Sequence, residues 1–200
     1  MPADTRDLYE RRIPLLEALR AELERGLLEV LKGTPHVDRV DLRVKEVGSF
    51  INKATRYENP LEDIEDQIAG RVLVFFTTDV DVISQRTRER WSAVEAVQKE
   101  PERDAEFGYE SRHHIFVIPE HAKPSGWSDH PRMPTTFELQ IRTLFMHAYA
   151  EPQHDLVYKS GDDLPREIRR QLGWIAASAW GADRAFLEVM RATGEVPNDS

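Results

Sequence analysis

Cysteine is absent from this 200-residue chain, which removes disulfide frameworks, thiolate metal sites and cysteine nucleophiles at once and is compatible with a reducing compartment. No apolar run approaches the length that crosses a bilayer, and the opening Met-Pro-Ala-Asp-Thr-Arg-Asp has no apolar stretch of the kind a secretion signal needs. The expectation is a soluble, cytoplasmic protein without a membrane partner. Excess positive charge is also missing: the formal charge of -9 argues against broad binding to bulk nucleic acid or anionic membranes. A small anionic ligand would need a locally basic pocket. There is no internal repeat and no low-complexity tract. With 40% apolar residues, the length suits a single domain over 1–200 with a sizeable core. It divides into an N-terminal helix (1–35), a central core (36–160) and a C-terminal helix and tail (161–200).

From about 5 to 32, Leu8, Leu15, Leu16, Leu19, Leu23, Leu27, Val30 and Leu31 recur at three- and four-residue steps and predict one amphipathic helix, read as scaffold. Gly33-Thr34-Pro35 ends it. Val40, Leu42 and Val44 then alternate with Asp41, Arg43 and Lys45 as in a half-buried strand, so Arg43 and Lys45 share a face. Ser49 and Lys53 follow across a short turn and a helix start. Cations close to a helix N-terminus make a candidate phosphate cradle. The segment 59–71 predicts a short helix, with Asn59 as cap, Pro60 in the first turn, Glu62 completing a capping-box pattern and Gly70 at the C′ position. Asp66 near its C-terminal end calls for a compensating cation, either Arg71 or a bound Mg²⁺.

Val72 to Phe76 is apolar throughout and predicts a strand buried on both faces at the centre of a sheet. Thr78 or Asp79 then caps a helix running to about Trp91 or beyond. After a charged loop at 101–106, Gly108-Tyr109 precedes an apolar strand over 115–118, a place where a tyrosine ring can stack on a base. The four prolines of 119–134 mark a long loop, either a mobile cover or disordered, whose His121 and His130 lack a third metal ligand. In 135–143, Phe137, Leu139 and Ile141 alternate with Thr136, Glu138, Gln140 and Arg142. A strand here buries one face and lines up a carboxylate, an amide and a guanidinium on the other. A last helix starts at Leu164-Pro165-Arg166-Glu167, with a seam of Ile168, Leu172, Ile175, Ala179, Ala182, Phe186 and Val189 that docks on the domain or pairs with another chain.

Four stretches in this order resemble the synthetase domain of the RelA/SpoT alarmone enzymes, and in length the chain is similar to the small, stand-alone alarmone synthetases. They are Arg43-Val-Lys45 with Ser49 and Lys53; Asp66-Gln-Ile-Ala-Gly70-Arg71; Gly108-Tyr109-x-Ser111-x-His113; and Glu138-Leu-Gln140-Ile-Arg142-Thr143 continuing through Ala150, His154 and Tyr158-Lys159. Together they cover roughly 40 to 160. Two positions depart from the common pattern: Glu110 stands where many members carry a basic or amide residue, and Gln153 where a glutamate is common.

The resemblance implies an α/β (α+β) fold, a mixed β-sheet flanked by helices and related to nucleotidyltransferases. It implies Mg²⁺-dependent transfer of pyrophosphate from ATP to the 3′-hydroxyl of GDP or GTP, giving (p)ppGpp. By matching position, Arg43 and Arg71 would sandwich adenine, and Lys45, Ser49 and Lys53 would hold the ATP phosphates. Asp66 and Glu138 would bind Mg²⁺, Glu138 also serving as candidate base. Tyr109, His113, Gln140, Arg142 and His154 would form the guanine-nucleotide side. Two alternatives stay open: a toxin-type pyrophosphokinase acting on the tRNA 3′ end or an adenine nucleotide, and a catalytically silent nucleotide-binding regulator. A homo-oligomer through the C-terminal helix is a further expectation.

Overall fold

A computed structural model describes residues 3–99, 107, 108, 110–160 and 164–195 of the chain. Helix α1 (Ala3–Leu31) buries Leu16, Leu19, Leu23, Leu27 and Leu31 along one stripe, as the sequence period requires. Strand β1 (Val37–Val44) follows, then α2 (Val47–Ala54), the four-residue α3 (Pro60–Asp63) and a 3₁₀ turn at Glu65–Gln67. Strand β2 (Ile68–Val74), helix α4 (Thr77–Arg90), and strands β3 (Ala93–Lys99), β4 (Ser111–Val117) and β5 (Thr136–Thr143) come next. Two helices, α5 (Leu144–Ser160) and α6 (Arg166–Thr193), finish the chain.

The strands form one sheet in the order β1-β2-β5-β4-β3, with β2 and β5 parallel and the other pairs antiparallel. This is the mixed sheet flanked by helices that the resemblance implies. Its apolar face packs on α1 and α4. There Leu139, Ile141, Phe116 and Phe137 are buried, and Trp91 meets the Phe137 ring edge-on at 5.3 Å. Among the described residues no helix is long and apolar enough to cross a membrane.

Several local expectations change. The helix predicted over 59–71 stops at Asp63; Gly70 and Arg71 lie inside β2, where Gly70 pairs with Leu42 and Leu139 rather than ending a helix. Tertiary packing decides this: a Cβ at position 70 would fall 2.9 Å from Leu139 Cδ1 and 3.2 Å from Leu42 Cδ1, so the glycine allows two strands' side chains to close over it. The cap also differs, since the Asn59 amide donates to the Asp63 carboxylate at 3.1 Å, not to Glu62. The most central strand is β5, not the 72–76 run, and Phe75 is 41% exposed. Helix α4 starts at Thr77, just ahead of the predicted caps, and ends before β3, a mostly exposed strand whose apolar residues do not alternate cleanly with polar ones. The loop 119–134 is neither open nor extended: it makes 3₁₀ turns at Glu120–Ala122 and Trp127–Asp129 and buries Ala122, Trp127 and Met133.

On α6 the buried stripe is Ala176, Ala179, Asp183 and Met190, which is rotated from the predicted seam and leaves Ile168, Ile175, Phe186 and Val189 exposed. A polar contact explains the rotation. Thr143 at the end of β5 donates its hydroxyl to Asp183 Oδ2 at 2.7 Å and accepts the Met146 amide at 3.1 Å, so α6 is tied to the strand-to-helix corner. Burial pushes the Asp183 carboxyl up to about 6, against the Thr143 hydrogen bond and with help from the charge of Glu110.

Two predictions follow from this packing. Gly70→Val overfills the Leu42–Leu139 contact and costs about 1–3 kcal/mol in urea unfolding; an unchanged midpoint would show that the two leucines repack freely. The folded Asp183 holds its proton to higher pH than the unfolded chain, whose value is 3.8, so this group's contribution to stability declines as pH rises from 3.8 to about 6. Unfolding at pH 4.5 and pH 7 should therefore show wild type losing about 2 kcal/mol more than Asp183→Asn over that interval, and parallel losses would refute the assignment.

Candidate active site

Strand register puts polar residues of all five strands on one face. Residues directly opposite in neighbouring strands point the same way. One row runs Asp41, Arg71, Gln140, His113, Val97; the next runs Arg43, Ala69, Glu138, Ile115, Glu95. The predicted alternation of β5 therefore holds, and its polar row is continued by Arg43, Arg71 and His113 from strands distant in sequence.

Asp66 reaches this face from the 3₁₀ turn that leads into β2. Its backbone (φ -89°, ψ 27°) lies outside the helical region, so the helix-dipole argument for its counter-charge does not apply. Two lysines supply that charge instead. Lys45 Nζ at the end of β1 lies 2.7 Å from Asp66 Oδ2, and Lys53 Nζ on α2 lies 3.0 Å from Oδ1. Arg71, the other expected cation, goes elsewhere. Ser49 is exposed on α2 and Arg43 is exposed on β1. The Lys45 backbone is pinned by the Tyr9 hydroxyl, which donates to its carbonyl at 2.6 Å while the Tyr9 ring stacks on Phe50 at 3.7 Å.

Glu138 is held from two sides: Gln140 Nε2 donates to its Oε1 at 2.8 Å, and His113 Nδ1 stands 2.9 Å from the same oxygen. An ionised carboxylate only accepts, so His113 carries its proton on Nδ1. Burial alone would raise the Glu138 carboxyl, but the hydrogen bonds from His113 and Gln140, with the charges of His113 and Lys53, outweigh it and bring the group below its ordinary value. Asp66 and Glu138 line one cavity of about 180 Å³, together with Lys53, Glu65, Glu95 and His113. Burial, then the charges of Glu95 and Glu138, push the Glu65 carboxyl up.

Arg142 does not line that cavity. Its guanidinium is 3% exposed and turns to α5, where Nη2 donates to Glu151 Oε1 at 2.6 Å and to His147 Nδ1 at 2.7 Å. Arg71 Nη2 reaches the same Glu151 oxygen at 3.1 Å. Glu151 thus bridges two arginines, and their bonds and charges override burial and hold its carboxyl below the ordinary value. His147 is pushed down by burial and by Arg142 and Arg71, consistent with a neutral ring accepting a guanidinium proton. Tyr109 and the side chain of His154 lie outside the described residues; the backbone of His154 is on α5.

The sequence reading brought together Lys45, Lys53 and Asp66, and Glu138, Gln140 and His113; it missed Glu65, Glu95, Glu151, Gln67 and Arg12. Arg12 alone carried a signal, a charge on the buried stripe of an amphipathic helix. A second cavity of about 350 Å³ lies between α4, the start of β4 and α6, lined by Thr77, Asp81, Arg112, Asp183 and Arg184 among others. Among the described residues, none of those expected at the site lines it.

A polar sheet face with paired acids and cations over a mixed sheet has known counterparts. Residues 42–163 match the family described as the region found in RelA / SpoT proteins, and the chain belongs to that family. It is 29% identical over 181 residues to GTP pyrophosphokinase YjbM of Bacillus subtilis, covering 87% of this chain and 82% of that protein. The crystal structure of small alarmone synthetase 1 from Bacillus subtilis matches with a TM-score of 0.77 at 23% identity, over 95% of this chain and 100% of that one. The same synthetase bound to its product pppGpp matches with a TM-score of 0.72 at 23% identity, over 95% and 98% of the two chains. At that identity the two structures establish the fold.

The Glu138 environment yields a direct test. With both donors removed, as in His113→Leu with Gln140→Leu, burial is left unopposed and the Glu138 carboxyl should titrate above its ordinary 4.5 instead of below it. Carbon-detected NMR titration reads this; a value still below 4.5 would show that other groups hold the charge.

Proposed function

We propose that this chain is a GTP pyrophosphokinase that uses ATP and Mg²⁺ to place a pyrophosphoryl group on the 3′-hydroxyl of GDP or GTP, making (p)ppGpp. The observation that carries the reading is the meeting of Asp66 and Glu138 in one cavity beside Lys53, on a face that also bears Arg43, Arg71 and His113. Family membership and the likeness to a GTP pyrophosphokinase support it.

The residues suit a magnesium ion. Asp66 and Glu138 offer hard oxygens, Asp66 already draws two ammonium groups, and Glu65 and Glu95 line the same cavity. Among the described residues no three His, Asp or Glu side chains converge closely enough to hold a metal alone, so phosphate oxygens would complete the coordination. When bound, the ion neutralises charge on the phosphates.

The chain's own groups would do the rest. Lys45 and Lys53 would turn from Asp66 to the ATP phosphates, with Ser49 beside them. Arg43 and Arg71 would flank adenine through their planar guanidinium groups. Glu138, ionised at neutral pH, would accept the proton of the 3′-hydroxyl as its oxygen attacks the β-phosphorus of ATP. The new O–P bond forms as the bond between that phosphorus and the α–β bridging oxygen breaks, and AMP leaves. His113 and Gln140 would hold the Glu138 carboxylate toward the acceptor, with Tyr109 and His154 on the guanine side. Arg142 would act from below by fixing Glu151, and so Arg71. The reading sets the reaction in the cytoplasm, and the apolar residues exposed on α6, with Trp174 at 70% exposure, support self-association through that helix.

The test is transfer of label from γ-labelled ATP with GDP, GTP, ATP and tRNA offered separately. Label is expected on GDP or GTP, and Glu138→Gln should lower the rate about 10²–10⁴-fold. Asp66→Asn should cost about 10²-fold or more, with a raised Mg²⁺ requirement. Full activity in both variants would overturn the site. Label on tRNA or ATP alone would move the acceptor to another class, and none on any acceptor would leave a nucleotide-binding protein without transfer.

A further inference from the structure

We infer that Arg12, on α1, is a positioning residue that fixes the Asp66 turn and thereby the phosphate-binding half of the candidate active site. This inference rests on the pyrophosphokinase reading for its consequence, and on geometry for its substance.

Arg12 lies on the same stripe of α1 as Tyr9, Leu16 and Leu19 and is 1% exposed. Its guanidinium grips three separate segments. Nη1 donates to the Leu61 carbonyl at 3.2 Å and to Gln67 Oε1 at 3.3 Å, and Nη2 donates to the Pro131 carbonyl at 3.2 Å. Gln67 is fully buried and passes the grip on, its Nε2 donating to the carbonyls of Leu61 at 2.9 Å and Ile64 at 3.0 Å. Asp66 sits inside this bracket, immediately before Gln67. The Gln67 carbonyl in turn accepts the Lys45 amide at 2.9 Å, which joins the turn to the strand end that carries Lys45. The Asp66 carboxylate is thus held in front by two lysines, and the residues on either side of it, Leu61 and Gln67, are held from behind by one arginine.

An arginine is a costly way to fill such a place. Leu or Met would bury similar surface without desolvating a charge, and buried ionic groups are in general poor sources of stability. The acceptors that Arg12 reaches among the described residues are neutral, and burial, only partly offset by the charges of Tyr9 and Glu62, draws its proton affinity down to about 10. What only arginine supplies is a rigid, planar set of five donors that can satisfy several carbonyls at once. That requirement exists because the turn before β2 has no regular helix or strand to fix it: α3 has ended at Asp63 and Asp66 adopts neither geometry.

The experiment compares wild type with Arg12→Met, which keeps volume, and Arg12→Lys, which keeps charge but not the fork. Hydrogen exchange is read along the whole chain, and transfer activity is read against Mg²⁺ and acceptor concentration. Both variants should exchange faster over 61–68, with the sheet beyond Ile68 unaffected. Half-saturating Mg²⁺ should rise and kcat fall, each about 10–100-fold, while the acceptor KM stays within about twofold. A merely structural role would instead lower stability and activity together at an unchanged Mg²⁺ requirement, and that outcome, or unaltered exchange over 61–68, would overturn the inference. Should Arg12→Met fail to fold, Arg12→Lys and Gln67→Leu are judged by the same readouts. If wild type transfers nothing, the pyrophosphokinase reading fails by itself; exchange over 61–68 still decides whether Arg12 holds the turn.

Discussion

The parallel pairing of β2 with β5 is the constraint on which the rest of the molecule depends. It sets Ala69 against Glu138 and Arg71 against Gln140, although these residues are about seventy positions apart in the chain. A slip of one residue would send every polar side chain of β5 into the apolar face and every apolar one into the site. Register is protected by burial: Leu139 and Ile141 are completely covered on the far face, and Gly70 lets Leu42 and Leu139 close over β2. The same packing that stabilises the sheet therefore aligns Glu138, Gln140, His113 and Arg71. Beyond register, Glu151 of α5 holds the Arg71 guanidinium.

Asp66 is different, because it stands outside the sheet. Sheet register places its neighbour Ile68 but not the turn before it, and this is where α1 contributes more than apolar cover. Tyr9 fixes the Lys45 carbonyl and Arg12 fixes the Leu61–Gln67 segment, so both the acid and one of its cations are anchored from the N-terminal helix. A helix that looks like scaffold by its leucine period also holds the half of the site that lies outside the sheet.

Legibility in the sequence tracks how local the deciding physics is. The alternation in 135–143 and the leucine steps of α1 are local, and both elements form where they are expected. The segment 59–71 carried a correct helix signal at Pro60, although the Asn59 side chain makes no cap hydrogen bond, and pairing of Ile68 to Val74 with β1 and β5 overrode the continuation. Strand β3 has almost no apolar face to announce it; only its partner β4 specifies it. The α6 seam was displaced by Asp183, a polar residue that a hydrophobic pattern leaves out. At the site, side chains predicted from one stretch, such as Glu138 with Gln140, are found together. Arg142 shares that stretch and face, yet it turns to Glu151, a residue that enters only because α5 follows β5 directly.

The charge pattern that results is a set of internal pairs rather than an open basic pocket. Lys45 and Lys53 rest on Asp66, and Arg71 and Arg142 rest on Glu151. In a chain with a formal charge of -9, this is how cations can be concentrated on one face without a net positive surface. Under the proposed function the pairing also selects the form of the ligand. A bare triphosphate taking the lysines would leave the Asp66 carboxylate uncompensated beside Glu138 and Glu65, at a cost that low local polarity enlarges. A triphosphate carrying a dication would bring its own partner for Asp66 as it took the lysines away, so one set of ion pairs would be exchanged for another. A preference for the metal complex over the free nucleotide would then come from the acids already in the cavity, beside the turn that Arg12 and Gln67 hold.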